Sequence, residues 1–131
     1  MPISRGLLNQ RLKVPEMPVP RRVLIVEDEV LVSILIEDAL TDLGIEVAGV
    51  AGTLEEALAH TEAGNFDCAI LDLQIQGKDV FPVAEALAAR GVPFVFATGY
   101  GQSGVPEKYR TRPVLQKPFM APELERVLAK V

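Results

Sequence analysis

At 131 residues the chain has the length of one ordinary domain, and with 49% hydrophobic and 24% charged residues it is balanced for a packed core rather than for disorder. No apolar run approaches the ~18 residues of a membrane span and no signal-peptide core follows Met1, so a soluble, cytoplasmic protein without a membrane partner is expected. The formal net charge is −5 with no stripe of lysine and arginine, which gives nucleic-acid binding no electrostatic support; the single cysteine, Cys68, lies in an apolar run and fits a small buried hydrophobe.

Residues Met1 to Pro20 hold four of the ten prolines and a net charge of +2, leaving −7 on residues 21–131. They are expected to form a flexible N-terminal extension, with Met17 an alternative start, ahead of a domain over residues 21–131. From Arg21 onward, short β-rich apolar runs alternate with segments of helical period, the pattern of βαβ units around a parallel sheet. The first strand is placed at Arg22 to Val26. Val30, Leu31, Ile34, Leu35, Ala39, Leu40 and Leu43 then recur at helical spacing until Gly44 supplies a stop. The second strand lies near Glu46 to Ala51, and Thr53 with Glu56 forms a capping box for a helix reaching about Ala63 and ended by Gly64. The third strand is expected at Phe66 to Leu71. An Ala-rich helix over Val80 to Arg90, with Pro82 in its first turn, leads to a fourth strand at Pro93 to Ala97. Gly99 to Arg112, rich in Gly and Pro, has room for at most a turn or two of helix. A fifth strand at Pro113 to Gln116 and a helix from about Ala121 to Lys130 complete an α/β chain.

What ends each apolar run carries the chemistry: Glu27 and Asp28 after the first strand, Asp72 after the third, Thr98 after the fourth, Lys117 after the fifth. In a parallel sheet these are all carboxyl ends, and open α/β sheets bind ligands at that edge. Each residue alone has a plain explanation, an Asp as a loop or helix cap, a loop hydroxyl, a surface amine. Their concurrence at four strand ends does not. Three carboxylates at one site repel one another unless a cation is present or one acid takes up a proton, and carboxylate and carbonyl oxygens select hard ions such as Mg²⁺. Phosphoryl transfer needs little beyond positioning and neutralisation of charge. Each part then has a candidate: Asp72 the nucleophile, Asp28 a direct metal ligand, Glu27 a ligand directly or through water, Lys117 a fixed positive charge, and Thr98 a hydroxyl donor to a phosphoryl oxygen. Glu29 reads as a first-turn helix acid and Asp79 as a helix cap, both outside the site.

The stretches Leu24-Ile-Val-Glu-Asp-Glu29, Ala69-Ile-Leu-Asp-Leu73, Phe96-Ala-Thr-Gly-Tyr100 and Leu115-Gln-Lys-Pro-Phe119 resemble the CheY-like receiver domains of bacterial response regulators, over residues 21–131. The resemblance implies a flavodoxin-like (βα)5 doubly wound fold with strand order 2-1-3-4-5. It implies Glu27 and Asp28 as the acidic pair, Asp72 as phosphoacceptor and metal ligand, Thr98 and Lys117 as the hydroxyl and the lysine, a cis Lys117-Pro118 bond, and the Gln74 backbone carbonyl on the Mg²⁺. Two departures stand out. Leu73-Gln-Ile-Gln-Gly77 replaces the family's Met-Pro turn, and Val114 occupies the place of the aromatic switch. Phe96-Ala-Thr-Gly-Tyr100 resembles a single-domain subgroup named for that motif, with an abbreviated fourth helix, and makes Tyr100 the switch candidate.

The expected function is a stand-alone receiver of a two-component phosphorelay. A sensor histidine kinase, the HWE/HisKA2 type included, or a histidine phosphotransfer protein would phosphorylate Asp72 with Mg²⁺ as cofactor. No turnover activity is expected beyond self-phosphorylation and slow autodephosphorylation, the output passing through protein partners as a monomer or weak homodimer. The rivals are an Asp-nucleophile phosphatase or phosphotransferase, which an Asp-x-Asp pair would favour where this chain has Gln74, and a phosphorylation-independent receiver-like binding module. A flavodoxin-type cofactor binder lacks its phosphate-cradling loop, since the loop after the first strand is acidic.

Overall fold

A computed structural model describes residues 20–99 and 104–131. Apart from Pro20, the extension expected over Met1 to Pro20 lies outside the described residues, and so does Tyr100. In chain order the elements are β1 (Arg22–Val26), α1 (Val30–Asp42), β2 (Glu46–Ala51), α2 (Leu54–Ala63), β3 (Cys68–Asp72), β4 (Gln74–Ile75), β5 (Lys78–Asp79), α3 (Phe81–Ala89), β6 (Phe94–Thr98), a 3-10 turn (Glu107–Tyr109), β7 (Val114–Gln116) and α4 (Ala121–Leu128). The main sheet is parallel throughout, in the order β2-β1-β3-β6-β7, while β4 and β5 form a separate antiparallel pair. Taken as five βα units, this is the expected 2-1-3-4-5 order of a flavodoxin-like fold.

The central strands are buried on both faces, as parallel sheets covered by helices are. Because side chains alternate along a strand, Val23 and Ile25 of β1 enter one core while Leu24 and Val26 enter the other. The first core joins α1 and α4 through Ile36, Leu40, Leu124 and Leu128, and holds Cys68. The second joins α2 and α3 through Ala57, Val83 and Leu87, with Phe94, Phe96 and Tyr109. Each such fully buried Leu or Phe contributes about 2 kcal/mol. Among the described residues no helix is long and apolar enough to cross a membrane.

Thr53 caps α2 as expected, its hydroxyl accepting the Glu56 N–H at 3.0 Å, but the Glu56 carboxylate accepts from Gly52 N–H, at 2.8 Å, instead of from Thr53. The third strand starts later than its apolar run. The Asp67 carboxylate accepts the backbone N–H of Arg21 and Arg22, at 2.9 and 3.1 Å, and the strand begins only after it, at Cys68. The buried row of α1 is also corrected: Ser33, Ile36, Ala39 and Leu40 face the core, whereas Val30, Leu31, Ile34 and Leu35 are exposed. Six of the seven residues from Val30 to Ile36 are apolar, so helical period alone singles out no face. Ser33 tolerates the interior because its hydroxyl donates to the Val30 carbonyl at 2.8 Å.

The loop after β3 is the largest departure. Gln74 pairs with Asp79 and Ile75 with Lys78 around a two-residue turn, and the Val80 N–H donates to the Leu73 carbonyl at 2.9 Å. Asp79 therefore belongs to β5 and does not cap α3, whose N-cap is Val80 with no side-chain cap bond.

Candidate functional site

The carboxyl ends of β1, β3, β6 and β7 deliver polar groups to one cleft of about 680 Å³, whose lining includes Asp28, Glu29, Asp72, Gln74, Thr98 and Lys117. Glu27 follows β1 with its N–H on the Ala51 carbonyl at 3.0 Å, which sets its side chain inward; it is only 2% exposed. Asp72 closes β3 and is partly buried, and Thr98 closes β6 and is buried. Lys117 follows β7, its N–H donating to the Thr98 carbonyl at 2.8 Å, and the Lys117-Pro118 bond is cis.

The Lys117 ammonium joins two of the acids. Nζ lies 2.6 Å from Glu27 Oε1 and 3.2 Å from Asp72 Oδ2. Burial pushes the Glu27 carboxyl above its ordinary value, against the lowering effect of the Lys117 hydrogen bond and of the Glu29 N–H on Oε2 at 3.1 Å. Burial opposes the charge on Lys117 too, but the Glu27 hydrogen bond and the Asp72 charge outweigh it and hold the amine above its usual value. The site therefore carries a cation of its own among its acids.

Glu27, Asp28, Asp72, Thr98 and Lys117 thus come to one edge, as expected. Glu27, Glu29 and Asp72 each offer one oxygen, all within 4.8 Å of one another, and Asp28 is not among them. Asp28 instead accepts the Gln76 backbone N–H on Oδ2 at 2.8 Å. Such a set of hard oxygen donors suits a small divalent cation. Glu29 and Asp79, read from the sequence as a first-turn helix acid and a helix cap outside the site, both line the cleft. Gln74 is exposed on the cleft wall, and Val114, at the switch position, is a partly buried aliphatic residue.

The sequence model of the response regulator receiver domain matches residues 23–129, nearly the whole described chain. The chain belongs to this family. This receiver domain is 34% identical over 110 residues to the transcriptional regulatory protein PdtaR of Mycobacterium tuberculosis, covering 81% of this chain and 54% of that protein. The chain therefore spans about half the length of the curated relatives it matches first. Among solved structures it is similar to SdrG from Sphingomonas melonis Fr1, with 45% identity, a TM-score of 0.77, and coverage of 88% of this chain and 97% of that one. The PhyR receiver domain of Erythrobacter litoralis matches at 28% identity with a TM-score of 0.72, over 84% of this chain and 88% of that one. As a response regulator receiver the chain is a component of two-component signalling, and receivers generally bind Mg²⁺ through an acidic cluster such as this one.

Proposed function

We propose that this receiver takes a phosphoryl group on Asp72 from a phosphohistidine of a sensor histidine kinase or histidine phosphotransfer protein. The observation that carries the reading is the Lys117 ammonium bridging Glu27 and Asp72 at the mouth of an acidic cleft. Glu27, Glu29, Asp72 and, after reorientation, Asp28 would hold the Mg²⁺, with the Gln74 carbonyl a further candidate. When bound, the ion neutralises charge on phosphoryl oxygens.

An Asp72 carboxylate oxygen attacks phosphorus, the P–N bond of the donor breaks, and the imidazole leaves with the electron pair. Lys117 is tethered beside Asp72, so its ammonium supplies a fixed positive charge to the product, and Thr98, at the end of the neighbouring strand, supplies a hydroxyl. The new negative charge competes with Glu27 for Lys117 and draws in the segment after Thr98, altering the surface offered to partners. That segment contains Tyr100, proposed as its responding aromatic in keeping with the Phe-Ala-Thr-Gly-aromatic subgroup. With Gln74 where an Asp-nucleophile phosphatase would place its second acid, slow self-dephosphorylation replaces turnover. The exposed apolar residues Val30, Leu31, Ile34 and Leu35 begin directly after Glu29 and offer a partner a surface beside the acids.

The test is transfer of radiolabel from phosphorylated histidine kinases and phosphotransfer proteins of the source organism, with and without Mg²⁺. Wild type should label in a Mg²⁺-dependent manner and Asp72→Asn should not. Undiminished labelling of Asp72→Asn would remove Asp72 as the acceptor. Beryllofluoride, which SdrG accepts in its BeF3-activated conformation, offers a second probe of the same cleft.

A further inference from the structure

Leu73-Gln-Ile-Gln-Gly77 is held as the start of a closed hairpin. Its turn residues have positive φ, 53° at Gln76 and 77° at Gly77, the combination a type I′ hairpin turn demands. Ile75, fully buried, and the bond from Val80 N–H to the Leu73 carbonyl anchor its base. The amide at the tip is directed across the cleft mouth: Gln76 N–H donates to Asp28 Oδ2 at 2.8 Å, 48 residues away in sequence. The Asp28 carboxylate, which comes off the same β1 end as Glu27 and Glu29, is the acid that does not join their cluster with Asp72.

From this geometry we propose that the Gln76-Gly77 turn is a latch that withholds Asp28 from the cation site and competes with the ion for that carboxylate. The inference rests on the Mg²⁺ reading above. A backbone amide presents a partial positive charge to the oxygen it binds, as does a cation, so the two compete electrostatically for the same lone pairs. Asp28 joins Glu27, Glu29 and Asp72 by rotating off the amide, and the stability of the turn then sets the affinity of the cleft for its ion.

The turn can be strengthened or weakened without touching an acidic residue. Gln76 is exposed and adopts a positive φ that asparagine tolerates better, so Gln76→Asn makes the favoured Asn-Gly turn and tightens the latch. A Cβ at Gly77 meets nothing within 4 Å, so Gly77→Ala acts through its φ alone and loosens the latch. The experiment is titration of the full ¹⁵N-labelled chain with MgCl₂ alone, followed by amide spectra. Gln76→Asn should weaken Mg²⁺ binding about threefold and Gly77→Ala should tighten it about threefold, the scale of a turn-residue effect. In wild type the Gln76 amide proton, downfield without Mg²⁺, should move upfield on saturation. Reversed signs would show that the turn orients Asp28 for the ion instead of withholding it, and would overturn the proposal. So would wild-type affinity in both variants, or an unmoved Gln76 amide in a chain that does bind Mg²⁺. A wild-type chain with no Mg²⁺-dependent shifts would fail the cation reading itself, and the latch with it. Should Gly77→Ala lose its dispersed spectrum, Gln76→Asn decides alone, since it is expected to stabilise the turn.

Discussion

Lys117 shows how one residue holds a repulsive site together. Its ammonium sits between Glu27, 1% exposed at its side chain, and Asp72, so removing it leaves a buried carboxylate without its counter-charge. We expect Lys117→Met to lose roughly 2 kcal/mol at pH 7.5, the scale of a broken charged hydrogen bond in a partly buried pair. The pH dependence has a definite sign. Burial already raises Glu27 above its ordinary 4.5, and loss of Lys117 raises it further. A group with a raised folded-state pKa contributes stability that is complete below its unfolded value and lost as pH rises through the folded value. The gap between variant and wild type should therefore narrow as pH falls towards 4.5. Urea denaturation at pH 5 and pH 7.5 measures it, and an equal gap at both would show that Glu27 does not depend on Lys117. Glu27, Asp72, Thr98 and Lys117 were legible because each ends an apolar run. Glu29 was not, since an acid beginning a helix looks the same whether it serves the helix or a site. Asp28 was placed correctly in the chain, but its bond to a backbone amide 48 residues on leaves no trace in residue types.

Among the elements, the strands were readable and the hairpin was not. β1 and β2 fall where the short apolar runs put them, and β6 and β7 within a residue; β1 and β6 are the plainest, because a central strand covered on both faces is continuously apolar. Gln-Gly carries none of the usual hairpin signal of Asn-Gly or Asp-Gly, and the ladder it closes is only two residues long on each side, so the segment read as a loop. α1 was legible as a helix, but not which of its sides is buried. The exposed side now has a use that can be measured. If Leu31 and Leu35 form part of the surface on which a phosphodonor protein docks, Leu31→Glu with Leu35→Glu should slow transfer from that protein about tenfold or more, as loss of two apolar anchors does. Phosphorylation by acetyl phosphate, which needs no docking surface, should proceed at the wild-type rate. Equal slowing with both donors would place the damage in the cleft, and no slowing with either would move the docking surface elsewhere.

At the scale of the whole molecule, the parallel α/β class followed from apolar runs alternating with helical segments and from polar residues gathered at one edge, while the order β2-β1-β3-β6-β7 was reached only through the resemblance to receiver domains. The same burial that makes the middle strands readable also governs how the fold responds to alkali. Cys68 starts β3, packs between α1 and α4 with no exposed surface, and has its thiol pushed up to about 12 by desolvation. In the unfolded chain that thiol ionises near its ordinary value of about 8.5. A raised folded-state pKa means that the contribution of Cys68 to stability is intact below the unfolded value and is lost progressively as pH rises towards the folded one. Between pH 9 and 10.5 the folded chain keeps a proton that the unfolded chain has shed, so the wild-type stability should fall by about 1 kcal/mol per pH unit more steeply than that of Cys68→Ala. Slopes decide this, because the alanine leaves a small cavity that lowers stability at every pH alike. Urea denaturation at half-unit steps across that window gives the two slopes, and parallel lines would mean that the Cys68 thiol ionises as readily in the folded domain as outside it.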